Sequence, residues 1–187
     1  PMEAEGAAAV MCSRGDVAAV ASQDWDTLLY GSPVMVRNLT SHGTRRFGRV
    51  MSAERIVLSE TLESHGITRE QLVDLGIMVG TDFHPGIKGI GPKTGLKLMK
   101  KHGTMEAVAE AKGFELPDNL EGIRSLFMEH PVGEEPLPES QRAVEEDLRS
   151  FLQEERGFSE RRMERALNRL AEAGRLKSSS QPSLFDF

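Results

Sequence analysis

The chain has 187 residues, 39% hydrophobic and 28% charged, with a net charge of −6. That is enough for one good globular domain with an appendage, and it excludes a fibrous or largely disordered chain. No apolar run approaches the ~20 residues of a membrane span. The single cysteine, Cys12, excludes an intrachain disulfide, and one cysteine among five scattered histidines makes no zinc spacing.

Residues 3–14 are rich in alanine and predict a helix that Gly15 stops. The chain enters this helix directly from Pro1 with no leader, so an intracellular protein, and a fragment or processed piece, is expected. Glu3 and Glu5 fall in the first turn, where they either complement the helix dipole or reach one cation. The apolar run 16–22 lacks alternation and predicts a strand buried on both faces of a parallel sheet. Gln23-Asp24-Trp25-Asp26 follows at its C-terminal end, the edge where open α/β sheets bind ligands. If the backbone is still extended there, Asp24 and Asp26 project to one side. Like-charged carboxylates that close repel unless a cation lies between them. The competing reading makes Asp26 the cap of a short helix over 27–30.

Residues 33–58 read as strands. The stretches 34–39 and 45–50 predict a hairpin about a turn at 41–44, with 54–59 as an added strand. Helices are expected at 60–65 and from Thr68 to Gly80, the second opened by a Thr68–Gln71 capping-box spacing. Asp82 stands just past that helix, where the dipole does not favour a carboxylate and a metal ion would.

From His84 to Gly103 there are five lysines (88, 93, 97, 100 and 101) and no acid. In an acidic chain such an island reads as a face for polyanion, although a lysine run can equally be a solvated helix. Gly89-Ile90-Gly91 precedes Pro92, which suits the first position of a helix, and the turn offers free N–H groups to a phosphate. Contacts of that kind position a nucleic acid without reading its bases. Helices are predicted at 92–102, 104–112, 118–129, 139–156 and 159–173, then a disordered spacer over 175–180. In the terminal Gln181-Pro182-Ser183-Leu184-Phe185-Asp186-Phe187, one helical turn puts Leu184 and Phe187 on one face, as in peptides that fold into a partner's groove.

Several motifs coincide in order: Pro1-x-Glu3-Ala4-Glu5-x-x-Ala8, Gln23-Asp24-x-Asp26-x-Leu28-Leu29-x-Gly31, and Gly80-Thr81-Asp82 through Gly89-Ile90-Gly91-Pro92-Lys93. Together they resemble the internal nuclease region and helix–turns–helix of the flap endonuclease family of 5′ nucleases, in its archaeal form. The terminal Gln181-x-x-Leu184-x-x-Phe187 resembles the family's sliding-clamp-binding box, with Phe185 where the family often has an acid and without a second terminal aromatic. The resemblance implies an α/β fold: a partial, mostly parallel-sheet, PIN-like 5′ nuclease core over 1–80, and a helix–turns–helix and helical DNA-binding region over 81–174. A tail over 175–187 would carry the clamp-binding residues Gln181, Leu184, Phe185 and Phe187.

The resemblance further implies structure-specific cleavage of 5′-flap DNA, with 5′–3′ exonuclease activity, in replication and repair. Glu3, Glu5, Asp24, Asp26 and Asp82 would hold two Mg²⁺ ions, with Mn²⁺ able to substitute. Gly86, Ile87, Lys88, Gly89, Ile90, Gly91, Lys93, Thr94 and Lys97 would contact the duplex, with a K⁺ ion bridging from the turn, and Arg162 would lie near a 3′-flap pocket. The expected partners are branched DNA and the sliding clamp, in the cytoplasmic nucleoid of an archaeon, and no membrane. The family's N-terminal strand, its arch of helices and its further aspartates have no counterpart here. The chain therefore resembles the C-terminal half, and the alternative is a non-catalytic DNA- and clamp-binding piece that needs its N-terminal nuclease half.

Overall fold

The computed structural model describes residues 3–41, 43–46, 48–131 and 141–177. They fall in two compact units, one up to residue 135 and one from residue 136. Among the described residues no helix is long and apolar enough to cross a membrane.

The first unit opens with α1 (Ala4–Arg14), which ends on Gly15 in the left-handed conformation. The Gly15 and Asp16 amides turn back onto the Cys12 and Met11 carbonyls, so the expected stop is made by backbone hydrogen bonds. The expected strand over 16–22 shrinks to β1 (Val20–Ala21), which is buried on one side only. After α2 (Asp26–Leu29) come β2 (Val34–Arg37), β3 (Arg45–Arg46), β4 (Arg49–Val50) and β5 (Glu54–Val57).

The sheet order is β1-β2-β5, with β1 parallel to β2 and β2 antiparallel to β5. The described sheet is thus mixed rather than mostly parallel, and β2 does not pair with 45–50. Pairing Met35 with Ile56 brings two apolar side chains onto the small core of Leu28, Met35 and Leu58. The 45–50 stretch is Arg-Arg-Phe-Gly-Arg-Val and offers no such face. It closes on itself as the β3–β4 hairpin, with Val50 exposed.

The helices α3 (Leu58–His65), α4 (Arg69–Val79), α5 (Pro92–His102), α6 (Met105–Lys112) and α7 (Leu120–Met128) complete the unit. Both halves of the expected capping box on α4 are present: Gln71 N–H donates to Thr68 Oγ1 (3.2 Å) and Thr68 N–H to Gln71 Oε1 (2.9 Å). Pro92 takes the first turn of α5. The larger core joins α1, α2 and α4 to α7 through Ala9, Leu29, Tyr30, Ile77, Met99, Val108 and Phe127, among others. At its margin the buried Asp74 carboxylate receives both forks of Arg124 at 2.7 and 2.8 Å and the Met105 amide at 3.2 Å. These bonds tie α4 to α6 and α7.

The second unit departs from the single helix expected over 139–156. It contains β6 (Ala143–Val144), α8 (Glu145–Arg149), a π-helical turn (Ser150–Glu155), α9 (Glu160–Glu172) and β7 (Leu176–Lys177). Where a spacer was expected from residue 175, the Arg175 carbonyl accepts the Ala143 amide (2.7 Å) and β7 pairs in parallel with β6. Arg149 reaches Glu145 within α8 and Glu160 and Glu164 of α9. The expected clamp-binding residues Gln181, Leu184, Phe185 and Phe187 lie outside the described residues.

Candidate metal centre and nucleic-acid interface

Three separate stretches of chain deliver the five carboxylates singled out in the sequence to one depression. It is lined by Glu3, Glu5, Asp24, Asp26 and Asp82, with Tyr30 and Phe83.

Glu3 stands at the cap position of α1 and Glu5 in its first turn. That helix is seated by Ala9 in the larger core and by Gly6, where a Cβ would lie 2.7 Å from the His130 ring. The His130 ring in turn meets Tyr30 edge-on at 5.0 Å.

Asp24 and Asp26 are not an extended i, i+2 pair. The Asp24 amide donates to Ser22 Oγ (3.0 Å), and the Asp26 amide donates to Asp24 Oδ1 (3.0 Å). Two side-chain turns in series swing the chain from β1 into α2. Asp26 is not the cap either. It is the first residue of α2, and its own carboxylate stays free for the depression. The side-chain acceptor at the start of α2 is Asp24, one residue ahead of the cap position held by Trp25.

Asp82 sits in a tight turn closed by Thr81 N–H to His84 O (2.8 Å) and His84 N–H to Thr81 O (3.2 Å). The Phe83 ring anchors the turn against Phe127, edge-on at 5.5 Å. The return of the loop is held by the Ile87 amide on the Met78 carbonyl (2.7 Å). Gly86 makes this possible. Its φ is 84°, and a Cβ there would lie 2.5 Å from the Val79 carbonyl oxygen.

The electrostatics follow from the crowding. Asp26 is pushed up from 3.8 to about 6, by burial first and then by Asp24, Asp82, Glu5 and Glu3. The Tyr30 hydroxyl is raised above its ordinary range by burial and then by the charges of Glu3, Asp26, Glu5 and Asp82. Among the described residues no three potential ligands converge closely enough to hold an ion as they stand, as expected of like charges that repel. The donor set nevertheless fits a hard divalent cation. The five lining carboxylates offer oxygen only, with no histidine or cysteine beside them. A cation would also relieve the crowding that raises Asp26.

The candidate DNA-contact residues Gly86, Ile87, Lys88, Gly89, Ile90 and Gly91 occupy the loop from α4 to α5, and Lys93, Thr94 and Lys97 the start of α5. Ile87 and Ile90 pack on the larger core, which leaves Lys88, Lys93, Thr94 and Lys97 exposed. Lys100 and Lys101 extend the exposed row. Arg162 belongs to α9 in the second unit, and its guanidinium stands 4.4 Å from the centre of the Phe158 ring.

Sequence reasoning missed Tyr30 and Phe83 in the lining, and it missed Gly6. A glycine inside an alanine-rich helix costs about 1 kcal/mol against alanine, and that unexplained cost was the available signal for a close approach. Nothing local to Tyr30 or Phe83 marked them.

The profile of the XPG I-region matches residues 1–82. Over 175 residues the chain is 45% identical to Flap endonuclease 1 of Methanothrix thermoacetophila, covering 91% of this chain and 52% of that protein. Over 196 residues it is 38% identical to Flap endonuclease 1 of Ignicoccus hospitalis, covering 100% of this chain and 55% of that one. Among solved structures it resembles flap endonuclease-1 from Methanococcus jannaschii, with a TM-score of 0.72 and 35% identity, over 91% of this chain and 50% of the other. The fold is also shared with the catalytic core of Rad2 in complex with DNA substrate, with a TM-score of 0.74 at 20% identity, over 91% and 63% of the two chains. The chain spans about half the length of the curated relatives it matches.

Proposed function

From a chain that is homologous to the flap endonucleases over nearly its whole length, we propose that it is the C-terminal portion of a structure-specific 5′-flap endonuclease with 5′–3′ exonuclease activity, acting in DNA replication and repair inside the cell. The observation that carries the reading is the meeting of Glu3, Glu5, Asp24, Asp26 and Asp82 in one depression. These five residues would hold two divalent ions, Mg²⁺ or Mn²⁺. When bound, such a pair of ions activates a water and neutralises the leaving oxygen of a phosphodiester.

The remaining roles belong to the chain. Asp24 sets the start of α2 and thereby aims Asp26 at the depression. The Thr81–His84 turn does the same for Asp82. Lys88, Lys93 and Lys97 hold duplex phosphates as a sequence-independent anchor. The backbone from Gly86 to Gly91 and the first turn of α5, with Thr94, form a helix–turns–helix whose amides face phosphate. Its carbonyls would take a K⁺ ion. The Ile87 carbonyl already accepts the Ile90 amide at 3.0 Å, but one carbonyl lone pair remains. Arg162 would contact the 3′ side of a branched substrate. The tail residues Gln181, Leu184, Phe185 and Phe187 would dock on a sliding clamp.

Half the relatives' length favours a second reading, an anchoring portion that requires an N-terminal nuclease half for turnover. One assay separates the two. A labelled 5′-flap duplex is incubated with this chain, with and without Mg²⁺. Product that requires Mg²⁺ and vanishes in Asp24→Ala supports a sufficient carboxylate set. No product, with salt-sensitive duplex binding retained, supports the anchoring reading. Undiminished cleavage by Asp24→Ala would sink the metal assignment.

A further inference from the structure

Trp25 lies between Asp24 and Asp26, yet it is absent from the lining of their depression. It is the chain's one tryptophan, and it is 51% exposed. The Arg37 guanidinium carbon stands 4.2 Å from its ring centre. Arg37 is the register partner of Glu54 across β2 and β5, so a cross-strand ion pair was within its reach. It makes none among the described residues, and its Nε is buried without a hydrogen-bond partner. A guanidinium held on an indole face without an ion-pair partner is a cation that an incoming anion can neutralise.

We propose that Trp25 and Arg37 form a nucleotide platform beside the carboxylate cluster. The Trp25 ring stacks on an unpaired base next to the phosphodiester at the carboxylates, and Arg37 takes an adjoining phosphate. The inference rests on the nuclease reading above. The pair's chemistry selects the occupant. An apolar protein segment laid over Trp25 would bury the guanidinium beside it with no counter-charge, which is costly. A nucleotide brings a π face for the indole and a negative charge for the cation in one ligand. Stacking of this kind tolerates any base, as a structure-specific rather than sequence-specific enzyme requires.

The lone tryptophan makes the test direct. The chain is titrated with fluorescein-labelled 5′-flap DNA in Ca²⁺, and tryptophan emission and label anisotropy are followed together. The expected result is emission quenched in step with the anisotropy rise. Trp25→Ala should weaken flap binding by roughly tenfold while leaving blunt-duplex binding unchanged. Trp25→Phe should recover most of the loss, because the ring is what stacks. Arg37→Gln should lower the slope of log K against log salt by about one. Anisotropy that rises with unchanged emission, or full flap affinity in Trp25→Ala, overturns the platform, leaves the nuclease reading intact, and points to a cover from protein instead. No anisotropy change at all overturns both.

Discussion

The Asp24 carboxylate accepts the Asp26 amide hydrogen at 3.0 Å. One residue therefore starts α2 and faces the acidic depression at once. Asp24→Ala removes both roles, and losing the hydrogen bond costs about 1 kcal/mol, or roughly 2–4 °C in Tm for a chain of this size. Asp24→Asn keeps an acceptor and removes the charge. The expected outcome is a lowered Tm for Asp24→Ala, a Tm at or above wild type for Asp24→Asn, and weakened Mn²⁺ binding by calorimetry in both. Wild-type Mn²⁺ affinity in Asp24→Asn would remove Asp24 from the ligand set.

The raised Asp26 makes a pH prediction. Its folded value is about 6 against 3.8 for the ordinary carboxyl. The native state then holds more protons between those values than the unfolded chain does. The contribution is fully present below about pH 3.8 and is lost as pH rises through about 6. In EDTA, the urea midpoint of wild type relative to Asp26→Asn should fall across that window. Saturating Mg²⁺ should reverse the trend, because a cation favours the deprotonated site. A flat difference in EDTA would show that burial and the neighbouring carboxylates do not raise Asp26.

Gly86 and Gly89 separate strain from collision. Both have positive φ, 84° and 86°, but only at Gly86 does a Cβ meet backbone, 2.5 Å from the Val79 oxygen. Gly89→Ala should cost about 1 kcal/mol, the left-handed penalty alone. Gly86→Ala should cost clearly more, roughly 2–4 kcal/mol, and should also weaken duplex binding by displacing the loop. Equal urea stabilities would mean the loop shifts without resistance.

Arg124→Met leaves the Asp74 carboxylate, 6% exposed, without its counter-charge. Breaking such a pair costs about 3–5 kcal/mol. Asp74→Asn in the same chain keeps an acceptor for the Met105 amide and removes the stranded charge. The double variant should therefore recover more than half the loss in urea denaturation. Strict additivity would show that the two side chains act independently.

Gly6→Ala sets propensity against packing. Helix propensity favours alanine by about 1 kcal/mol. The new Cβ, however, would lie 2.7 Å from the His130 ring, and overpacking of that kind costs about 1–3 kcal/mol. Collision should win, with a lowered Tm and a weaker Mn²⁺ site as Glu3 and Glu5 shift with α1. A stabilised variant would show that the ring yields freely.

Much of this chain could be read without its structure. The stop at Gly15, the Thr68–Gln71 box and the Pro92 start all rest on bonds spanning a few residues, so local sequence decides them. The same holds for the identity of the five carboxylates and the run of lysines without acids. Strand partners were misread because pairing is non-local. Val34–Arg37 joins Glu54–Val57 rather than the nearer 45–50 since that register buries Met35 and Ile56 together. The short β6–β7 pair was invisible for the same reason, two residues long and joined across α8, the π-helical turn and α9. The sequence by itself determined which side chains carry charge, where the helices start and stop, and which residues are candidates for a cation. Tertiary packing alone decided that α1, the Ser22–Asp24–Asp26 relay and the Thr81–His84 turn arrive at one place. Tyr30 and Phe83 both pack on Phe127, His130 joins Tyr30 to the helix turn at Gly6, and no local pattern encodes contacts between residues so far apart in the chain.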